Sequence, residues 1–451
     1  MYPDKEVISY SDNLLGITPL YALFRLTGFD FLTSFQLLII LCHILNFTFC
    51  FFCFYKLIDN KYAAACGAFI FAFSIILDGI HNHPQYTFRF CIPLFFYFLY
   101  NYLNTFSFKY LFYSAVFLAL QFYLGVYLGY FLLIISIAFV FCHFLFNYPN
   151  LINFKKFGRQ SLQAVPVLAI PLIPLFYFYY KRSQITGYYT DYDFYMQTIP
   201  RLSSYFKSFP GSITWSFLTN TNVNSKYEWV HILFPGILIF ISIIMSVYLI
   251  FKGENKKLYL TLLLTLFIFI LFTINYNGHT LYGYLMKIPG IKAARVVSRV
   301  VTVLIFFGGW LVCLNISYLQ IKFSKYSKVL IIVLPVILFF DNYCFPHEFK
   351  TFDKKECRSR INIIKQKISV RSPYKAFAYI PKLEGAEVEN APHYHIDAML
   401  CALELKWKTV NGYSSSAHKL YGPFWRKIDS TSLANWCTNM NLSIDSVLLV
   451  H

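Results

Sequence analysis

The sequence predicts an all-α polytopic membrane bundle of about ten transmembrane helices over residues 1–341, followed by a small extracytoplasmic α/β domain over residues 342–451. Three observations predict it. Of 451 residues, 57% are hydrophobic and 21% aromatic while 13% are charged, and the mean hydropathy is +0.52, more apolar surface than one soluble domain buries. Residues 90–154 contain a single charge, Lys109, so no water-facing helix surface fits there. Beyond residue 341 the composition shifts to charged residues, Pro punctuation and short alternating runs.

Apolar runs bounded by polar loops place ten spans at about 31–55, 62–77, 88–103, 110–123, 126–146, 161–180, 230–251, 258–274, 299–320 and 327–341. Residues 110–146 would extend about 55 Å as one helix, nearly twice the hydrocarbon thickness of about 30 Å. They are therefore expected to form a hairpin that turns in "YLGVYLG" (123–129). No internal repeat is visible.

One set of alternate loops carries Lys56, Lys61, Lys109, Lys155, Lys156, Arg159, Lys252, Lys256, Lys257, Lys322, Lys325 and Lys328. The positive-inside rule places these short loops in the cytoplasm. Residues 1–30, 78–87, the turn near 125, 181–229, 275–298 and the tail then share the opposite face. The net charge of +18 follows largely from that topology, because the cations are scattered through short loops and form no nucleic-acid-binding face. Residues 1–30 contain neither a signal peptide nor an apolar segment that would carry them across, so the parity leads us to expect an upstream membrane helix and part of a first external loop.

In the tail, "YKAFAYIP" (374–381) and "DSVLLVH" (445–451) read as buried strands. "IDAMLCALELKWK" (396–408) and "STSLANWCTNM" (430–440) read as helices, the second opening on a Ser/Thr cap. The seven cysteines of the apolar part read as buried thiols. The four of the tail, Cys344, Cys357, Cys401 and Cys437, allow up to two disulfides. "HYHID" (393–397) has the look of a metal motif but no second ligand cluster, so a surface loop is expected.

Candidate chemistry lies on the face opposite the lysines. "DGIHNHPQYTFRF" (78–90) gathers Asp78, His81, His83 and Arg89. One reading is a polar loop with Pro84 in the first turn of the next helix and Arg89 snorkelling to the interface. The other is the wall of a membrane-level cavity, with Asp78 as base or metal ligand and His81, His83 and Arg89 binding substrate. Lys292, Arg295 and Arg299 recur at three- and four-residue spacing, which puts them on one face if the segment is helical. Ordinary headgroup contact competes there with a specific phosphate or pyrophosphate site. At the N-terminus, Asp12 precedes an apolar segment too short to span, expected as an interfacial helix. The acids there read as solvated, with Asp12 the candidate for a second catalytic position. The aromatics of 181–229 suit interfacial anchoring or stacking on sugar rings, and Glu228 and His231 read as a helix start.

The order of these features resembles the GT-C superfamily of multipass glycosyltransferases, in particular its YfhO-type and RgtA/B/C/D-like bacterial branch. The stretches that carry the resemblance are "SYSDNLLGITPLYALFRLTGFDFLTSFQLL", "YAAACGAFIFAFS" with "HNHPQYTFRFCIPL", "EWVHILFPGIL", "KIPGIKAARVVSRVV", "VNGYSSS" and the terminal "SVLLVH". The resemblance implies a GT-C-like bundle in the bacterial inner membrane with the tail extracytoplasmic. It implies a polyprenyl-phosphate-linked sugar as donor and partner, transferred to an acceptor hydroxyl that stays open. It further implies that Arg295 and Arg299 hold the phosphate and that an acid of the first external loop, Asp4 or Asp12, acts as base or metal ligand, with a divalent cation left open as cofactor. Asn411, Gly412 and Tyr413 would form a structural turn. A lipid or polysaccharide transporter is the alternative, but it calls for ionisable residues near the midplane, where only His43 and His143 lie, and for two related halves. A truncated, inactive relative is the third reading.

Overall fold

The computed structural model describes residues 1–5, 7–80, 83–148, 150–186, 192–287, 295–345, 352–368, 373–381 and 392–451. Up to residue 342 the helices are α1 (Thr18–Leu26), α2 (Phe31–Ile58), α3 (Lys61–Phe73), α4 (Cys91–Thr105), α5 (Phe108–Leu124), α6 (Val126–Asn147), α7 (Leu151–Thr186), α8 (Tyr192–Thr198), α9 (Ile237–Phe251), α10 (Lys256–Thr273), α11 (Tyr282–Leu285), α12 (Val301–Lys322) and α13 (Ser327–Asn342). All but α1, α8 and α11 coincide with expected spans. Among the described residues, six stretches are long and apolar enough to cross a membrane: Phe31–Ile58, Lys61–Ile80, Val126–Asn147, Leu151–Thr186, Lys256–Thr273 and Val297–Lys322. This marks an integral membrane protein. Four helices, α4, α5, α9 and α13, have only 15 to 17 residues, so length alone supports six crossings, not ten.

Local chemistry fixes the boundaries. Asp30 accepts from the amides of Leu32 and Thr33 at the start of α2, and Asn60 accepts from Ala63 at the start of α3. α5 and α6 break at Gly125, which is extended, and fold back so that Leu111, Ala115 and Leu118 line one cleft with Phe144, Val140 and Ile137. The expected hairpin is present.

Two compact units emerge. The larger comprises Leu14–Ile173 and Tyr189–Lys350. At its centre α12 is buried from Val301 to Ser317, antiparallel to α3. Gly67 and Gly309 let the two helices close: a Cβ on Gly67 would lie 2.5 Å from the Gly309 carbonyl oxygen, and one on Gly309 would lie 2.6 Å from that of Gly67. Small residues at a crossing replace the hydrophobic drive that lipid does not supply. Asn315, also on α12, is satisfied by the Ser242 carbonyl at 2.8 Å and the Tyr259 hydroxyl at 3.0 Å. Asp341 caps α9 by accepting from Ile237 and Leu238 and also takes the Trp215 indole N–H. Gly236 has φ +90°, and its absent side chain is what lets that carboxylate approach, since a Cβ would lie 2.6 Å from Oδ2.

The second unit comprises Met1–Asn13, Pro174–Tyr188 and Thr351–His451, so the division is not a single cut at residue 341. The Tyr10 carbonyl accepts from the hydroxyls of Ser415 and Ser416, Arg182 lies on the Tyr10 ring, and the Tyr179 hydroxyl donates to the Ser11 carbonyl. The N-terminal stretch, the end of α7 and the tail thus touch within this unit. The tail pairs β1 (Ala376–Tyr379) and β2 (Val447–Val450) in parallel, Ala376 opposite Val447. Around them lie α14 (Lys354–Lys367), α15 (Pro392–Leu405), α16 (Gly422–Arg426) and α17 (Ser430–Asn439). Tyr421, Phe424, Leu433 and Trp436 fill the core.

Three expectations change here. α17 is capped by Asp429, which accepts from the Ser432 amide, not by Ser430. The four tail cysteines are buried free thiols. "HYHID" is not a surface loop but the first turns of α15, with His395 buried and Asp397 paired to Arg360 at 2.8 Å. Asn411 is a structural turn residue, its amide bonding both backbone groups of Tyr379.

Candidate functional site

α3 and α9 rise only about 20 and 22 Å at 1.5 Å per residue, short of a hydrocarbon layer of about 30 Å. The chain continues in short 3₁₀ turns, Ile75–Ile80 after α3 and Glu228–His231 before α9, with a third, Val297–Val300, leading into α12. Such backbone is tolerated at membrane depth where protein buries it or where it lines a cavity. Gly79 of the first turn backs directly on Ile232, 3.0 Å from where its Cβ would stand. The third turn is tied down by Thr198, whose hydroxyl donates to the Arg295 carbonyl at 2.9 Å.

Arg299 joins them. It is 9% exposed, donates through Nη1 to the Tyr86 hydroxyl at 3.0 Å and through Nη2 to His83 Nε2 at 2.6 Å, and lies over the Tyr86 ring. His83 stacks on Trp229 with ring centroids 6.5 Å apart. A guanidinium has five N–H donors, and two are committed here. The rest of the fork is what a phosphate would use.

Trp229 also walls a cleft of about 460 Å³ shared with Lys207, Pro210, Thr219, Asn220, Glu228 and Ile232. Lys207, nearly buried, pairs with Glu228 at 2.8 Å and donates to the Thr221 carbonyl. The Lys207 ammonium holds the Glu228 carboxyl below the usual carboxylate range. His231 anchors this wall. Its Nε2 faces the Gln197 carbonyl at 2.8 Å and so donates, which leaves Nδ1 to accept from the Ser204 hydroxyl at 2.8 Å. Ser204 and His231 are fully buried, so this Ser–His contact is a structural tie.

The other candidates are distributed as follows. Asp78 lines a separate pocket of about 360 Å³ with His43, Ser74, Asn342, Tyr343 and Cys344. Arg89 does not snorkel. It is fully buried and caps the C-terminal end of α3 through the carbonyls of Phe71 and Ala72, where the helix dipole favours a cation. Arg295 and Arg299 do not share a helix face, because Val296 is extended. Asp12 is half-buried in the other unit. His81 and Lys292 lie outside the described residues. For a divalent cation the donor set does not fit: among the described residues no three His, Cys, Asp or Glu side chains group as ligands. The sequence reading missed Lys207, Tyr86 and Trp229 as site residues, since only tertiary contact with His83, Arg299 and Glu228 marks them out.

Compared with family models, with curated proteins and with solved structures, the chain matches none.

Proposed function

We propose that this integral membrane protein is a glycosyltransferase that moves a sugar from a polyprenyl-phosphate donor to an acceptor hydroxyl on the face opposite the lysine-rich loops. The observation that carries the reading is the convergence of Arg299, His83, Tyr86 and Trp229 at the start of α12. It offers a partly committed guanidinium for a phosphate and an aromatic surface for a sugar ring. In the step proposed, the acceptor oxygen forms a bond to the anomeric carbon as its proton passes to a carboxylate, for which Asp78 is the candidate. The anomeric carbon–oxygen bond breaks, its electron pair stays on the phosphate oxygen, and Arg299 stabilises that charge.

The test is release of polyprenyl phosphate from a labelled polyprenyl-phosphate sugar by purified protein in lipid. Release by the wild type and its loss in Arg299→Ala support the reading. Undiminished release in Arg299→Ala would remove the phosphate assignment.

A further inference from the structure

Arg89 is fully buried, and its Nε and Nη1 reach no partner among the described residues. No carboxylate pairs with it among the described residues. A desolvated cation with open donors is strongly destabilising unless something fills the gap, and the neighbouring atoms indicate what does.

His43 and Cys50 of α2 both lie within Coulombic reach of Arg89. Residues 43, 46 and 50 follow three- and four-residue spacing, so Asn46 sits between them on the same face of α2. The Asn46 amide donates to the Thr87 carbonyl at 2.8 Å, two residues before Arg89. That bond fixes the amide orientation and leaves Oδ1 as an acceptor without a partner. His43 bonds the Ala72 carbonyl and leaves Nδ1, also without a partner, as an acceptor. Arg89 and His43 share the Ala72 carbonyl, so open donors on Arg89 lie beside α2, which carries open acceptors that they do not meet. An anion would answer the guanidinium but confront two lone pairs, whereas water donates and accepts at once.

The room for water adjoins. His43 and Ala72 line the pocket that holds Ser74, Asp78, Asn342 and Tyr343. Its volume of about 360 Å³ equals roughly a dozen waters at about 30 Å³ each. We propose that this pocket is a water-filled inlet that hydrates Arg89, with bound water supplying the partners that Arg89 Nε and Nη1, His43 Nδ1 and Asn46 Oδ1 lack among the described residues. The inlet is independent of the transferase reading. It is a hydrated branch into the bundle beside the acid, and it explains how a full positive charge persists behind α3.

The test uses the full chain in lipid nanodiscs. His43→Cys is exposed to a cationic and to an anionic methanethiosulfonate, with Ile44→Cys as the control, because Ile44 is exposed on the apolar surface of the same helix. We expect His43→Cys to react at least tenfold faster than Ile44→Cys with both reagents, and Ser74→Trp to block that reaction. Equal, slow labelling at both positions would show a dry or lipid-filled pocket and overturn the proposal. Labelling of His43→Cys by the anionic reagent alone would replace water with an anion site. Should His43→Cys not fold, radiolytic hydroxyl labelling of the wild type decides. Phe73 and Tyr343, at the inlet, should be oxidised faster than the lipid-facing Phe52, and the reverse order would refute it.

Discussion

Arg299 Nη2 stands 2.6 Å from His83 Nε2, and because a guanidinium only donates, His83 must accept there and carry its proton on Nδ1. The loop 78–90 and the start of α12, 216 residues apart in sequence, are joined by a bond that requires a neutral imidazole.

Lysine at position 299 retains the charge but not the fork that reaches His83 and Tyr86 together. Arg299→Lys should raise the KM for the lipid-linked donor by roughly 10- to 100-fold, the scale of one charged hydrogen bond. His83→Gln, which keeps an acceptor, should lose far less. Steady-state kinetics with a labelled donor separate the two.

Asp78→Asn tests the acid. Loss of a general base costs about 10²–10⁴-fold in rate, so turnover should fall on that scale while donor binding, measured by equilibrium photolabelling, stays near wild type. Unchanged turnover would transfer the role to another carboxylate.

The Lys207–Glu228 pair should respond asymmetrically. Lys207→Met leaves an exposed carboxylate in water, whereas Glu228→Gln leaves a nearly buried ammonium without its counter-ion. Thermal unfolding should show the larger loss in Glu228→Gln. The carboxyl is held below its ordinary value, so its contribution is present above the carboxylate range and lost as pH falls through the folded value. Wild type and Glu228→Gln should converge in acid.

Burial pushes the His395 imidazole down to about 4. Between that value and 6.5 the unfolded chain binds the extra proton, so stability rises with pH across this window and is lost on acidification. At pH 5 the loss is about 2 kcal/mol, at about 1.4 kcal/mol per pH unit. His395→Asn keeps an acceptor for the Gly412 amide, which bonds Nδ1 at 3.3 Å, and should flatten the stability profile from pH 7.5 to 5.

A methyl at the α3–α12 crossing has no space. Gly309→Ala should destabilise by about 1–3 kcal/mol as the helices are forced apart, read as a lower midpoint in detergent unfolding.

The membrane helices were legible because a lipid-solvated helix must be apolar nearly throughout, and all ten runs became helices. The loop 78–90 stands out in the sequence because ionisable groups are scarce elsewhere, and two of its residues, His83 and Tyr86, meet Arg299. Arg89 was misread, since an interfacial Arg and an Arg folded back onto α3 carry the same local sequence. The helical spacing assigned to Lys292, Arg295 and Arg299 presumed a helix that Val296 interrupts. Lys207 and Trp229 gave no local signal, because what singles them out is the partner each meets only after folding.

The glycine contact between α3 and α12 lies about midway along two arms. Gly67 precedes Asp78 by eleven residues and Gly309 follows Arg299 by ten, lever lengths of about 15 Å at 1.5 Å per residue. The two helices form scissors whose pivot is a backbone-to-backbone contact, with the acid at one tip and the guanidinium at the other. A change of about 4° at that pivot moves either tip by about 1 Å, which on the proposed transferase reading is a misplacement worth about 10²-fold in rate. The alignment of the two charged groups is set by a place in the bundle where neither has a neighbour.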